Sequence, residues 1–429
     1  MKFVKNLLLM AGTALTLSAA PLSPVEQRIA ATVDANLAAS NALVEKLVNI
    51  NSGTLNLEGV RRIADEIRPR FEALGFNVRW IPMDATHRAG HLVAERKGTH
   101  GKRVLLIGHL DTVFDPSSPF QKFEAHGASA VGPGAADMKG GLAIILYSLQ
   151  ALQTAGALDG ASITVFLTGD EEKPGAPLSV ARGDLIEAAR HNDVALEFEP
   201  GVVADGRDYA SIARRSSSSW QLTATGKSGH SAGIFEPASG DGAIYELARI
   251  LNAFHDQLRE PGLTYNVGLA LGGTTVAYNA REHTGTASGK ANIIPGQATA
   301  SGDIRTLTDE QLQRTRERMR RIVAAHLPGT GAEIQFNEGY PAMPATPGNQ
   351  RLLDLLNGVN RDLGFATFET LPPGRRGAGD LSFAAPYLDA LCALGAVGSG
   401  THAPGETLDL SRQPVQMKRT ALLLYRLTR

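Results

Sequence analysis

Three consecutive acids, Asp170, Glu171 and Glu172, end an apolar, partly β-branched run in the stretch ITVFLTGDEEKPG. Adjacent carboxylates repel, and each raises the proton affinity of the next unless a cation sits between them. Taken alone, such a cluster is a solvated turn after a strand, so a functional reading needs cation ligands from elsewhere in the chain. Four other stretches offer them. LLIGHLDTV places His109 and, two residues later, Asp111 behind a buried-type run. VGPGAADMKGG sets Asp137 between a glycine-rich loop and a helix start, ALEFEPG carries Glu199, and GSGTHAPGE carries His402. Imidazole and carboxylate donors without thiolate suit zinc, with cobalt or manganese as substitutes.

The elements that must position these residues are legible as patterns. RVLLIGH has the continuous apolar character of a strand buried on both faces. GGLAIILYSLQAL reads as a helix, and ASITVFLTG and DVALEFE after it as further strands. Helical spacing runs through residues 25–50 and 58–74, the second stretch closed by Gly75. Strands alternating with helices predict an α/β fold, a mostly parallel sheet flanked by helices. In such a sheet ligands bind beyond the carboxyl ends of the strands, which is where all five stretches place their imidazoles and carboxylates.

Near residue 213 the texture changes. RRSSSSWQLTATG alternates, a helix follows over about 241–258, and Thr308 and Gln311 form a capping box for another. Two helices set against antiparallel strands make a small α+β unit. The predicted organisation is a catalytic domain in two pieces, residues 21–214 and 341–429, interrupted by an inserted domain over 215–340.

Bulk properties exclude several function classes. A chain of 429 residues, 43% apolar and 20% charged with a net charge of −1, has no electrostatic drive toward nucleic acid or an anionic membrane. The single cysteine, Cys392, lies in an apolar run and reads as a buried small hydrophobe. Residues 1–20 carry two lysines, an uncharged apolar stretch and small residues, the pattern of a secretory signal peptide. The expected location of the mature protein is the periplasm or the exterior, and no other segment approaches membrane-spanning length without charge.

In this order, GHLDTV, GPGAADMKGG, GDEEK and FEP resemble the co-catalytic zinc peptidases and amidohydrolases that include glutamate carboxypeptidase, aminoacylase and succinyl-diaminopimelate desuccinylase. The resemblance spans the mature chain and is strongest to secreted glutamate carboxypeptidases. It implies two zinc ions per chain, one held by His109, Asp137 and Glu199, the other by Asp137, Glu172 and His402, with Asp137 bridging. Asp111 would accept the proton on the other ring nitrogen of His109, and a cis peptide would follow Asp137. Glu171 would be the general base and Asp170 a turn residue, which answers how so many acids share one place. In the inserted domain, GKSGHSAG puts His230 where the family stabilises the oxyanion of a partner subunit's site, implying a homodimer. ANIIPGQATASGDIR puts Asn292 and Arg305 where the family binds substrate polar groups and carboxylate, and Asp380 in GAGD resembles a substrate-side loop.

The implied activity is cleavage of a peptide or N-acyl amide bond beside a free carboxylate. Deacylation of an N-acyl amino acid and cleavage of a dipeptide are alternatives on the same fold. An inactive binding relative would need a missing ligand or base, and none is missing. One departure concerns specificity. Tyr340 in EGYPAMPAT stands where glutamate carboxypeptidases carry an arginine that meets the substrate side-chain carboxylate. A tyrosine brings no charge, so glutamate selectivity would require Arg214 or Arg215 to supply one.

Overall fold

The structure is a computed structural model that describes residues 21–280 and 282–429. The expected leader over residues 1–20 lies outside the described residues. The first helical stretch is two helices, Pro24–Ala35 and Leu37–Val48. The break falls at Asn36, whose side-chain amide donates to the Thr32 carbonyl. A short polar side chain that bonds the backbone locally competes with helix continuation. The helix Leu57–Ala73 is capped by Asn56, buries Val60, Ile63, Ile67 and Phe71 on one face, and closes at Gly75, whose φ of 79° suits glycine.

In chain order, the strands that build the first sheet and the second are β1 (Asn77–Met83), β2 (Arg88–Arg96), β3 (His100–His109), β4 (Ala161–Thr168) and β5 (Val194–Glu197). Then come β6 (Ser217–Gly226), β7 (Thr264–Tyr265), β8 (Leu269–Gly273), β9 (Gln297–Arg305), β10 (Thr330–Tyr340) and β11 (Asp389–Cys392). The first sheet runs in the order β1-β2-β4-β3-β5-β11. Its centre is parallel: β3 pairs in parallel with β4 and β5, and β11 with β5. The antiparallel β1–β2 pair covers one edge. Val104 and Leu106 of β3 pack into one apolar cluster, Leu105 and Ile107 into another. Alternate side chains thus enter cores on opposite faces, as the unbroken apolar run predicts.

The second sheet, β7-β9-β6-β10 with β8 also against β9, is antiparallel and drawn from residues 217–340. Helices Ala243–Gln257 and Asp309–Ala324 cover one face, closing a separate core around Trp220, Leu222, Ile250, Phe254, Ile304 and Met319. Strict alternation leaves the other face polar, with Ser217, Ser219 and Gln221 of β6 on it. The chain crosses between the two units twice, and Arg214 and Met343 exchange backbone hydrogen bonds where it does.

Candidate metal centre

Because β3, β4 and β5 are adjacent and parallel, their carboxyl ends open on one place. His109 is the last residue of β3, the Asp170–Glu172 acids follow β4, and Glu199 follows β5. The His109 Nε2 atom stands 3.1 Å from Asp137 Oδ1 and 3.2 Å from Glu199 Oε1. Asp137 Oδ2 is 3.1 Å from His402 Nε2, which in turn is 3.1 Å from Glu172 Oε2. Asp137 therefore presents one oxygen to each of two imidazole–carboxylate clusters. The peptide bond after it, to Met138, is cis. The site is closed on one side and open on the other: the His109 side chain is 1% exposed, that of His402 56%.

The donor set fits two divalent cations. Tetrahedral ligands about 2.0–2.1 Å from zinc stand roughly 3.3 Å from one another, close to the spacing seen. Hydrogen bonds would give similar distances, but Glu172 Oε1 is buried with no partner. An orphaned carboxylate oxygen in a cluster of acids calls for positive charge. Burial and then Glu199 push Glu171 well above the usual carboxylate range, and burial likewise raises Glu172. Burial would lower His109, yet hydrogen bonds to Asp111, Asp137 and Glu199 reverse this and hold it well above its usual value. Oxygen and nitrogen atoms of His109, Glu171 and Glu199 also lie within 4.8 Å of one another, so proximity alone does not separate base from ligand.

Asp111 differs from expectation in detail. The nearer acceptor for His109 Nδ1 is the Asp111 backbone carbonyl at 3.1 Å; its carboxylate lies at 3.5 Å. A carbonyl only accepts, so Nδ1 carries the proton and Nε2 is left facing the carboxylates. The Asp111 carboxylate instead takes a 2.6 Å hydrogen bond from Thr54 Oγ1 and the backbone N–H groups of Glu171 and Glu172 at 3.1 and 3.2 Å. It organises the acid loop as well as standing beside the imidazole.

Two further residues reached the site without being singled out from the sequence. Glu406 accepts backbone N–H bonds from Gly134, Ala136 and Asp137 at 3.1, 2.8 and 2.9 Å, tying the His402 loop to the turn that bears Asp137. Burial lifts its carboxyl to about 7. An acid four residues after His402 in a Gly/Pro-rich loop was the available signal. Arg182 is fully buried, bonded to Asp170 and Asp380 at 2.6 Å each. Asp170 also accepts from the Gly175 N–H at 2.8 Å, and Asp380 from Thr168 Oγ1 at 2.6 Å. The expected turn residue Asp170 and substrate-side Asp380 are thus both buried anchors for one guanidinium, because a charge so deep needs partners on several sides.

Arg214 is likewise engaged. It pairs with the buried Glu197 and donates to the carbonyls of Gly377 and Ala378 at 2.8 and 2.6 Å. Arg215 donates to Thr264 Oγ1 at 3.1 Å. The inserted-unit residues stand apart from the cluster. His230 is exposed, and its Nδ1 accepts the Ala232 N–H at 3.2 Å. The Asn292 carbonyl accepts from Ser231 N–H at 2.9 Å, and Arg305 pairs with Asp303 at 2.9 Å. A cavity of about 660 Å³ lies on the polar face of the second sheet, bounded by Ser217, Ser219, Asp303 and Tyr340 and, from the acid loop, by Pro174.

A mostly parallel sheet carrying two clusters that share an aspartate, with an antiparallel unit inserted beside it, defines a metallohydrolase of the peptidase–amidohydrolase class. The pattern of peptidase family M20/M25/M40 matches residues 105–427, and the chain belongs to that family. It is 30% identical over 392 residues to carboxypeptidase G2 of Pseudomonas sp., covering 89% of this chain and 87% of the relative. A succinyl-diaminopimelate desuccinylase of Variovorax paradoxus is 27% identical, covering 86% and 93%. Among solved structures, aminopeptidase PepT from Bacillus cereus superposes with a TM-score of 0.73 at 17% identity, covering 92% of this chain and 99% of that one. A Bacillus subtilis protein described as a dinuclear metal binding peptidase from the M20 family gives 0.63 at 17% identity, covering 92% and 99%. At these identities the structures establish the fold.

Proposed function

We propose that the protein is an exported di-zinc hydrolase that removes an amino acid bearing a free carboxylate from a peptide or N-acyl amide. The observation that carries the reading is Asp137, offering separate oxygens to the His109–Glu199 and His402–Glu172 clusters beside Glu171. His109, Asp137 and Glu199 would hold one zinc, and Asp137, Glu172 and His402 the other. When bound, the pair would polarise the scissile carbonyl and lower the pKa of an attacking water. Glu171 takes the water's proton and delivers it to the leaving amine. Arg305 binds the free carboxylate and Asn292 its polar neighbours. His230 stabilises the oxyanion, from a partner subunit in a homodimer or after the inserted unit closes. Export rests on the leader pattern of residues 1–20.

Side-chain selection is broad in this reading. Arg214 is bound into a buried pair and Tyr340 carries no charge, so a strong preference for glutamate has no obvious cation to support it. The test is metal analysis followed by a panel of matched N-acyl-glutamate, alanine and leucine substrates. Two metals per chain with release of free amino acid is the expected result. Turnover of succinylated amines alone would instead assign the chain to the desuccinylase branch. A glutamate preference above about 10³ in kcat/KM, roughly 4 kcal/mol, would show that a cation such as Arg215 reads the side chain.

A further inference from the structure

Tyr340, the last residue of β10, leaves the inserted unit just before the chain crosses back, yet its hydroxyl lies on the loop after β4. It is 2.9 Å from Arg182 Nη2 and 3.0 Å from the Glu171 carbonyl oxygen. A guanidinium can only donate and a carbonyl can only accept, so the hydroxyl receives from Arg182 and gives its single proton to Glu171. No proton is left for a substrate carboxylate. The acceptor side is rigid, because Asp170 and Asp380 clamp Arg182. The ring is held as well, edge-on to Phe383 at 5.1 Å. From the other end of the same residue, the Glu171 N–H donates to Asp111 Oδ1 at 3.1 Å.

We propose that Tyr340 is a positioning residue for the general base: with Asp111 it fixes both backbone polar groups of Glu171, through a contact that runs from the inserted unit's last strand to the acid loop. The proposal rests on the base assignment made under Proposed function. It also means that the orientation of the inserted unit and the aim of the base are mechanically joined at one hydroxyl. The ring borders the cavity that includes Pro174, so this joint lies at the wall of the space between the two units.

Tyr340→Phe isolates the hydroxyl. Arg182 Nη2 keeps the Asp170 carbonyl at 3.1 Å, and the ring keeps its packing, so the Glu171 carbonyl is the group that loses its partner. Loss of one neutral hydrogen bond predicts a fall in kcat of about 2- to 12-fold. KM and metal content should stay within about twofold of wild type. The variant is made in both the wild-type and Glu171→Gln backgrounds. If the hydroxyl acts through the base, it changes nothing once the base is gone, so the double variant should match Glu171→Gln alone. An equal fall in both backgrounds, an unchanged kcat in the wild-type background, or a rise in KM alone would each overturn the proposal. Full activity of Glu171→Gln would instead remove the base assignment itself, a separate outcome read from the same four proteins.

Discussion

Arg182 and Arg305 are both arginines beside acids, and they mark how differently the two units hold their functional residues. Arg182 has no solvent exposure and bonds to Asp170, Asp380 and Tyr340, within a network that reaches the acid loop. Arg305 is 32% exposed and pairs with a half-exposed Asp303 across one residue. The same contrast separates His109, enclosed by three carboxylates, from His230, whose ring accepts a single local N–H. The chemistry-bearing loops are fixed before any ligand arrives, which spares the reaction the cost of reorganising charges. The side chains proposed to meet substrate, Arg305 and His230, have only local partners, which suits groups that approach once substrate is between the units.

Removing the metals should produce the largest effect and should act on the rigid side alone. Prolonged chelation is expected to abolish hydrolysis, with recovery on adding zinc or cobalt; a chelated, metal-free protein at full activity would end the assignment. Glu171→Gln comes next. It should cost about 10²–10⁴ in kcat while both metals remain bound, since the amide is nearly isosteric but cannot take a proton. Loss of metal instead would make Glu171 a ligand, which its position near His109 and Glu199 permits.

The arginines test the contrast directly. Arg182→Met strands two buried carboxylates and should destabilise the fold by about 3–5 kcal/mol, read as a lowered denaturation midpoint. Arg305→Met breaks an exposed pair, so stability should change by less than about 1 kcal/mol while KM for carboxylate-bearing substrates rises. Equal effects on stability would erase the distinction between the units. For His230, mixing inactive His230→Ala with inactive Glu171→Gln should restore activity if subunits exchange and the histidine works across an interface. Demonstrated exchange without recovery would place its action within one chain.

The smallest effect concerns Cys392, which is buried and whose thiol burial pushes up to about 12. It should resist alkylation at pH 8 in the folded protein and react on unfolding. Because its folded value lies above the unfolded one near 9, its contribution to stability is constant below about pH 9 and declines as pH rises toward 12. Ready labelling of the native protein at pH 8 would show that the first unit opens more freely than its packing suggests.

Much of the centre was legible because its residues interrupt otherwise regular patterns. His109, Glu171, Glu172 and Glu199 follow apolar strand runs, and His402 sits among glycines and a proline, so type and place coincide in the sequence. The supporting residues do not stand out this way. Thr54 and Glu406 are ordinary polar residues whose partners lie 57 and about 270 positions away. Asn36 likewise looks like any residue on a helical repeat until its side chain is seen to bond backward and break it.

Residue types and their periodicity along the chain specify which groups can bind cations, the parallel strands that end in them, and the antiparallel unit set between two halves of the first. Those follow from local periodicity and residue chemistry, which the chain carries position by position. Which acid meets which base is set by packing between distant segments. Asp170 and Asp380, expected as a turn residue and a substrate-side residue, are claimed by one guanidinium, and Asp111, expected at His109, is shared with Thr54 and two backbone N–H groups. Buried charges are assigned by the partners that packing brings within about 3 Å, and that distance is a property of the folded chain, not of spacing along it.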